Sequence, residues 1–516
     1  MKCIVFLIGI ILGVSVVRSQ TVQIKTFPEI EYQTMDGFGA SDAWRCQFVG
    51  KDWPSEKKEA IADLLFSQKT DEHGNPRGIG LSIWRFYISS GTSEQGEKSG
   101  IENVWRRGEC FQNPDGSYDW NKQAGQQWFL EAAKKRGVER FLAFPNAAPT
   151  HMSLNNKGFA SKGNGHFNVA PEKLPDYARF LTDVVQHFEK EGIHFDYLSP
   201  FNEPQWEWDG GNQEGTPANN EELYSFIKLL SAELDRQNLT TKLVIGEAGT
   251  IQHLTKTVKN DHRDNQIAFF FNPKSPNYVG NLSHVANIIS GHSYFTVWPL
   301  ETQVKTRIAL DSAIQANNPK LGFWQSEYCI LEKNDEIKQG GTRDLGMPTA
   351  LFVARIIHND LTICNAKSWQ WWTAITKADY KDGLIYLDDG SQETSGRMGF
   401  RVESLKSDGQ FRDSKLLWAL GNYSRFIRPG MVRIKCELSE PQSIKDGLLV
   451  SAWKDPKTKA LVYVMVNLGN KNSIVDLGNK SVVKSFTTSM TNNLSYSKTR
   501  SDQIVIPSKS IVTITL

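Results

Sequence analysis

Between residues 35 and 410 short apolar runs recur, separated by longer stretches of helical period. The runs are "GIGLSIWRFYI", "RFLAFPNAAP", "FDYLSPFNEP", "KLVIGEAG", "ANIISGHSYF", "LGFWQSEYC" and "AKSWQWWTAI". Between them, "LPDYARFLTDVVQHFEKEG" carries apolar residues at helical spacing and ends on a glycine. "NNEELYSFIKLLSAELDRQ" opens on Asn and two acids, a helix start. Strand then helix, repeated about eight times, predicts an α/β fold, a (β/α)8 barrel over residues 35–415.

From Leu416 the texture changes to strands split by turn residues: "GLLVSAWKD", "ALVYVMVNLG", "NSIVDLG" and "QIVIPSKSIVTITL". The N-terminal run "TVQIKTFPEIEYQTM" alternates in the same way, so a β-sandwich side domain is expected from residues 20–34 together with 416–516. The first residues, "MKCIVFLIGIILGVSVVRSQ", read as a signal peptide over residues 1–19: one lysine, an apolar run, a short polar exit. No other stretch approaches the length of a membrane span, so the mature chain is expected to be exported, either secreted or periplasmic.

Composition narrows the partners. With 59 basic and 57 acidic residues, the chain has no field to draw in nucleic acid or a membrane surface. Cys46, Cys110, Cys329, Cys364 and Cys436 lack CxxC spacing, which argues against a zinc site or a dense disulfide framework; their odd number leaves at least one thiol free. Fifteen Trp, 14 Tyr and 27 Phe supply flat faces of the kind that stack on sugars. A monomer acting on a neutral saccharide is the expectation.

In such a barrel the chemistry sits where the strands end. The residues closing the runs include Arg85, Asn146, Asn202, Glu203, Glu247, His292, Tyr294, Glu327 and Trp372. Glu203 follows the fourth strand and Glu327 the seventh, which sets two carboxylates facing across the mouth. That pair is what glycosidic cleavage needs, one protonated to assist the leaving oxygen and one ionised. Arg85 and Tyr294 would keep Glu327 ionised, aromatic surroundings would raise the pKa of Glu203, and Trp372 would floor the sugar site. Glu207, Asp209 and Glu214 read as solvated or ion-paired loop residues, and Glu247 as a secondary candidate. His151 and His166 lack metal-ligand spacing. Trp120, Trp128 and Trp418 read as core. Trp206 and Trp208, in the polar loop after Glu203, read as stacking residues.

These motifs bear a family resemblance. "SPFNEPQW", "FWQSEY", "DGFGASDAW" and "LLWALGNYSRFIRPGMVRI", in this order over the whole mature chain, resemble glycoside hydrolase family 30, retaining (β/α)8 enzymes of the large Asn-Glu-Pro clan. The resemblance implies Glu203 as acid/base and Glu327 as nucleophile. It implies Asn202 on the 2-hydroxyl of the sugar being cleaved, and Arg85, His292 and Tyr294 ordering the nucleophile's side, with no metal or organic cofactor. "NEPQWEWDGGNQEG" looks most like the endo-β-1,6-galactanase branch, which implies β-1,6-galactan as substrate. The alternatives are a β-1,6-glucanase, a glucuronoxylanase using Lys377, Lys381 or Arg397 for the uronic acid, an exo-β-glycosidase, and a carbohydrate-binding protein without activity.

Overall fold

The computed structural model describes residues 21–258, 262–390, 403–478 and 482–516. The expected signal peptide and Arg397 lie outside them. Strand β1 (Thr21–Thr34) precedes eight parallel strands: β2 (Gly37–Ser41), β3 (Ile83–Ile88), β4 (Arg140–Pro145), β5 (Tyr197–Leu198), β6 (Lys242–Ala248), β7 (Val285–His292), β8 (Gly322–Glu327) and β9 (Ser368–Trp371). β2 pairs with both β3 and β9, which closes the barrel.

Strand periodicity sorts the side chains. Ile83, Leu142, Val244, Ile288 and Trp324, with Tyr197, pack on one another inside the barrel, whereas Trp84, Phe86 and Phe141 join the core beneath the helices. Two residues beyond Ile83, on the same face, Arg85 points into the barrel near its mouth. Glu247 and Glu327 each lie three residues beyond an inward residue, an offset that an unbroken pleat would turn outward. Register irregularities re-aim both: the β6–β7 ladder slips between Ile245 and Ala248, and the β7–β8 ladder skips to set His292 opposite Glu327.

The two helices read from the sequence form over Leu174–Lys190 and Asn220–Arg236. The second starts on a capping box in which Asn219 and Glu222 satisfy each other's backbone N–H. After β9, β10 (Ile375–Thr376), β11 (Ile385–Asp388) and β12 (Gln410–Asp413) form a small sheet, and Ala378, Tyr380 and Asp382 between β10 and β11 line the cleft at the barrel mouth.

The expected boundary at residue 416 falls inside a helix, Lys415–Ser424, capped by the Ser414 hydroxyl. Every residue from Leu416 to Ser424 is buried, because the helix is wedged between barrel and side domain. It therefore shows no polar face to mark it in the sequence. Strands β13 (Val432–Leu438), β14 (Leu448–Lys454), β15 (Leu461–Asn467), β16 (Ser473–Asp476), β17 (Val482–Thr488), β18 (Ser495–Arg500), β19 (Gln503–Ile506) and β20 (Ser510–Thr515) follow. Their order is β18-β17-β20-β15-β14-β13-β1-β16-β19, with the N-terminal strand inside the sheet. Ile24, Met465, Val475, Ile504 and Ile514 share this domain's own core, so the short β16/β19 arm folds over the longer one.

Candidate active site

The mouth of the barrel holds a cleft of about 370 Å³ lined by Asn202, Glu203, Tyr294, Glu327 and Trp372, among others. The size suits one or two sugar rings. Arg85 organises the group beneath it. Its guanidinium stacks 3.8 Å from the centre of the Phe144 ring. Its Nη1 donates to Glu327 Oε2, and its Nη2 donates to Glu247 Oε2 at 2.9 Å and to Asn202 Oδ1 at 3.2 Å. Because Asn202 accepts from Arg85, its amide N–H groups are left for the cleft side. The Tyr294 hydroxyl donates to Glu327 Oε1 at 3.0 Å. His292 bridges the remaining acids, Nδ1 to Glu203 Oε1 at 2.8 Å and Nε2 to Glu247 Oε2 at 3.1 Å. One carboxylate oxygen each of Glu203 and Glu327 and a ring nitrogen of His292 lie within 4.8 Å of one another.

Burial makes the charge balance strict. Burial alone would pull the His292 pKa down, but Glu327, Glu203 and Glu247 outweigh it and push it up to about 10. The site therefore holds two cations, Arg85 and His292, against three carboxyls, and is neutral when one carboxyl keeps its proton. Burial raises the pKa of Glu203, with His292 opposing. Burial also acts on Glu247, but Arg85 and His292 overcome it and hold that group at about 2. Burial thus favours the protonated form at Glu203, while the two cations hold Glu247 ionised. A metal would need a lone pair on His292, whose two ring nitrogens both face carboxylates while the ring is charged. This donor set suits an ion-pair network better than a coordination sphere.

The strand-end reasoning brought Arg85, Asn202, Glu203, His292, Tyr294, Glu327 and Trp372 to one place. Trp206 falls elsewhere. Its ring stands edge-on to His253 and Phe295, over Gly249, and it is Trp208 that lines the cleft. The Trp208 backbone has φ +49°, and this left-handed turn swings the later indole inward. Glu214 is a second correction. Instead of being solvated or ion-paired it is fully buried, accepting from the hydroxyls of Tyr87, Ser89 and Thr92 and from the Ser90 backbone.

Lys381 does not face a ligand, because its ammonium donates to the carbonyls of Gln339, Gly341 and Thr342. Sequence reasoning missed Arg45 and Arg106, which line the cleft with both guanidinium groups over the Trp44 ring. It also underrated Glu247, whose importance lies in cross-barrel partners that no local motif records. Among the described residues all five cysteines are free.

The model of O-glycosyl hydrolase family 30 matches residues 20–386. An endo-β-1,6-galactanase of Hypocrea rufa is 22% identical over 421 residues, 78% of this chain and 74% of that protein. Among solved structures, a conserved exported protein from Bacteroides fragilis has a TM-score of 0.88 at 36% identity, over 96% of this chain and all of that one. The catalytic domain of a family 30 xylanase C from Talaromyces cellulolyticus shares the fold, with a TM-score of 0.67 at 20% identity over 96% of this chain and 99% of that one. With the family model spanning most of the barrel and the paired carboxylates at its mouth, the chain belongs to O-glycosyl hydrolase family 30.

Proposed function

We propose that this protein is an exported, retaining endo-glycosidase that cleaves β-1,6-galactosidic linkages in galactan, such as the side chains of arabinogalactan. The observation that carries the reading is the approach of the Glu203 and Glu327 carboxyl groups around His292. In retaining glycosidases such groups stand about 5 Å apart, too close to admit a water between them. Glu203, keeping its proton, gives it to the glycosidic oxygen. Glu327, oriented by Arg85 and Tyr294, attacks the anomeric carbon from the opposite side. Its ester is then hydrolysed by a water that Glu203 deprotonates, and Asn202 offers its amide N–H to the adjacent sugar hydroxyl.

The sugar rests on narrower support, the "NEPQWEWDGGNQEG" loop and the similarity to the Hypocrea rufa galactanase. Export is supported by the signal-like first residues and by the similarity to an exported protein. Among the described residues no helix is long and apolar enough to cross a membrane. Arg45 and Arg106 favour one second reading, a xylanase that binds a uronic acid substituent through these cleft arginines.

The deciding experiment is a product profile on de-arabinosylated arabinogalactan, β-1,6-glucan and glucuronoxylan. A ladder of β-1,6-galacto-oligosaccharides is the expected result. Products from glucuronoxylan alone would replace galactan by the second reading, and products from glucan alone would overturn both.

A further inference from the structure

The loop after Glu203 gives the Gln213-Glu214-Gly215 triplet a structural meaning. Trp208, part of the cleft wall, lies flat on Gly215: a Cβ added there would stand 2.4 Å from Cδ2 of the indole, nearer than any real Cβ contact. The ring and its seat are tied to one neighbouring segment, since Ala160 N–H donates to the Trp208 carbonyl at 3.0 Å and Gly215 N–H to the Gly158 carbonyl at 2.8 Å. The indole N–H is spent on the backbone carbonyl of Glu203, at 2.9 Å. What the side chain offers the cleft is therefore apolar ring, joined directly to the backbone of Glu203. Beside the seat, Glu214 locks the loop to the end of β3, taking the Ser90 backbone N–H at 3.0 Å and the Ser89 hydroxyl at 3.0 Å, besides the hydroxyls of Tyr87 and Thr92.

We infer that Trp208 is the platform for the sugar ring on the leaving-group side of the scissile bond. Gly215 is its specificity-determining seat, and Glu214 is the positioning residue that holds them. The proton of Glu203 goes to the oxygen that departs with the leaving sugar, so a ring hydrogen-bonded to Glu203 stands on that side. This rests on the reading of Glu203 as acid/base. An indole face whose polar atom is already satisfied suits the C–H face of a hexopyranose. No side chain can replace Gly215 without displacing the ring, and residue 215 has no left-handed φ that would confound an alanine there.

The test compares kcat/KM for a β-linked tetrasaccharide with that for the glycosyl fluoride of the same sugar, whose leaving group has no ring. Galactosyl, glucosyl and xylosyl pairs are run on the wild type first, and the pair turned over fastest is carried forward. A wrong sugar then shows as a different preferred pair, and a wrong acid/base as full tetrasaccharide turnover by Glu203→Ala, each distinct from the platform result. Trp208→Ala is expected to lower the tetrasaccharide-to-fluoride ratio roughly five- to tenfold. Gly215→Ala should lower it in the wild type and not further in Trp208→Ala. Glu214→Gln should raise KM for the tetrasaccharide more than it changes kcat on the fluoride. An unchanged ratio in Trp208→Ala, an equal loss on both substrates, or a Gly215→Ala effect that persists without Trp208 would overturn the inference. Trp208→Phe, which keeps an aromatic face, should recover part of the ratio and guards against misfolding of the alanine variant.

Discussion

His292 holds its Nδ1 2.8 Å from Oε1 of Glu203, a cation against the carboxyl group proposed to donate the proton. Burial raises the Glu203 pKa and the imidazolium restrains that rise. His292→Gln removes the restraint, so Glu203 should hold its proton to still higher pH. The basic limb of the kcat/KM profile should move to higher pH while the maximum falls. A limb that stays in place or moves to lower pH would contradict the coupling.

The same histidine makes stability depend on pH. Its folded-state pKa, about 10, lies above the ordinary 6.5, so its contribution is complete below pH 6.5 and is lost as pH rises through 10. Melting temperatures of wild type and His292→Gln, measured across that window, should converge as pH rises. Parallel curves would mean that the imidazolium adds nothing to the fold.

Glu327→Gln should abolish turnover on every substrate with the melting temperature little changed. Glu203→Ala should cost about a hundredfold to ten-thousandfold where the leaving group needs a proton, and far less on glycosyl fluorides. Steady-state kinetics on both substrate types separates the roles, and equal losses for the two variants would refute the division of labour.

Arg85→Lys keeps the charge but loses the fork that reaches Glu327, Glu247 and Asn202 together. A kcat reduced by roughly a hundredfold, along with a lowered melting temperature, is expected from misplaced reacting groups and a less well paired Glu247. Near wild-type kcat would show that charge alone suffices.

With the five cysteines of the described residues free, dithiothreitol should leave the melting temperature unchanged. A lost bridge would typically cost about 2–5 kcal/mol, enough to register in a thermal melt.

The strands of the barrel and the Glu203/Glu327 pair were legible because apolar runs end in carboxylates at the places the architecture demands. Glu247 was less so, since its weight comes from Arg85 on β3 and His292 on β7, and a ladder irregularity decides which way it faces. Trp206 and Trp208 are chemically alike, and only the left-handed turn at Trp208 tells them apart. Glu214 concealed its burial because its partners lie on β3 and the loop after it, far back in the chain. The helix Lys415–Ser424 went unread because burial on all sides erased the polar stripe by which helices are recognised.

The place of β1 in the side domain has a consequence for synthesis. The Gln23 N–H reaches the Ser439 hydroxyl across 416 residues, so the sheet cannot close until almost the whole chain exists, and its first strand waits unpartnered meanwhile. Deleting that one strand would cut the nine into blocks of six and two, each with a newly bare edge of the kind that seeds aggregation. The integrity of the C-terminal domain is thus decided by the N-terminal residues of the folded chain.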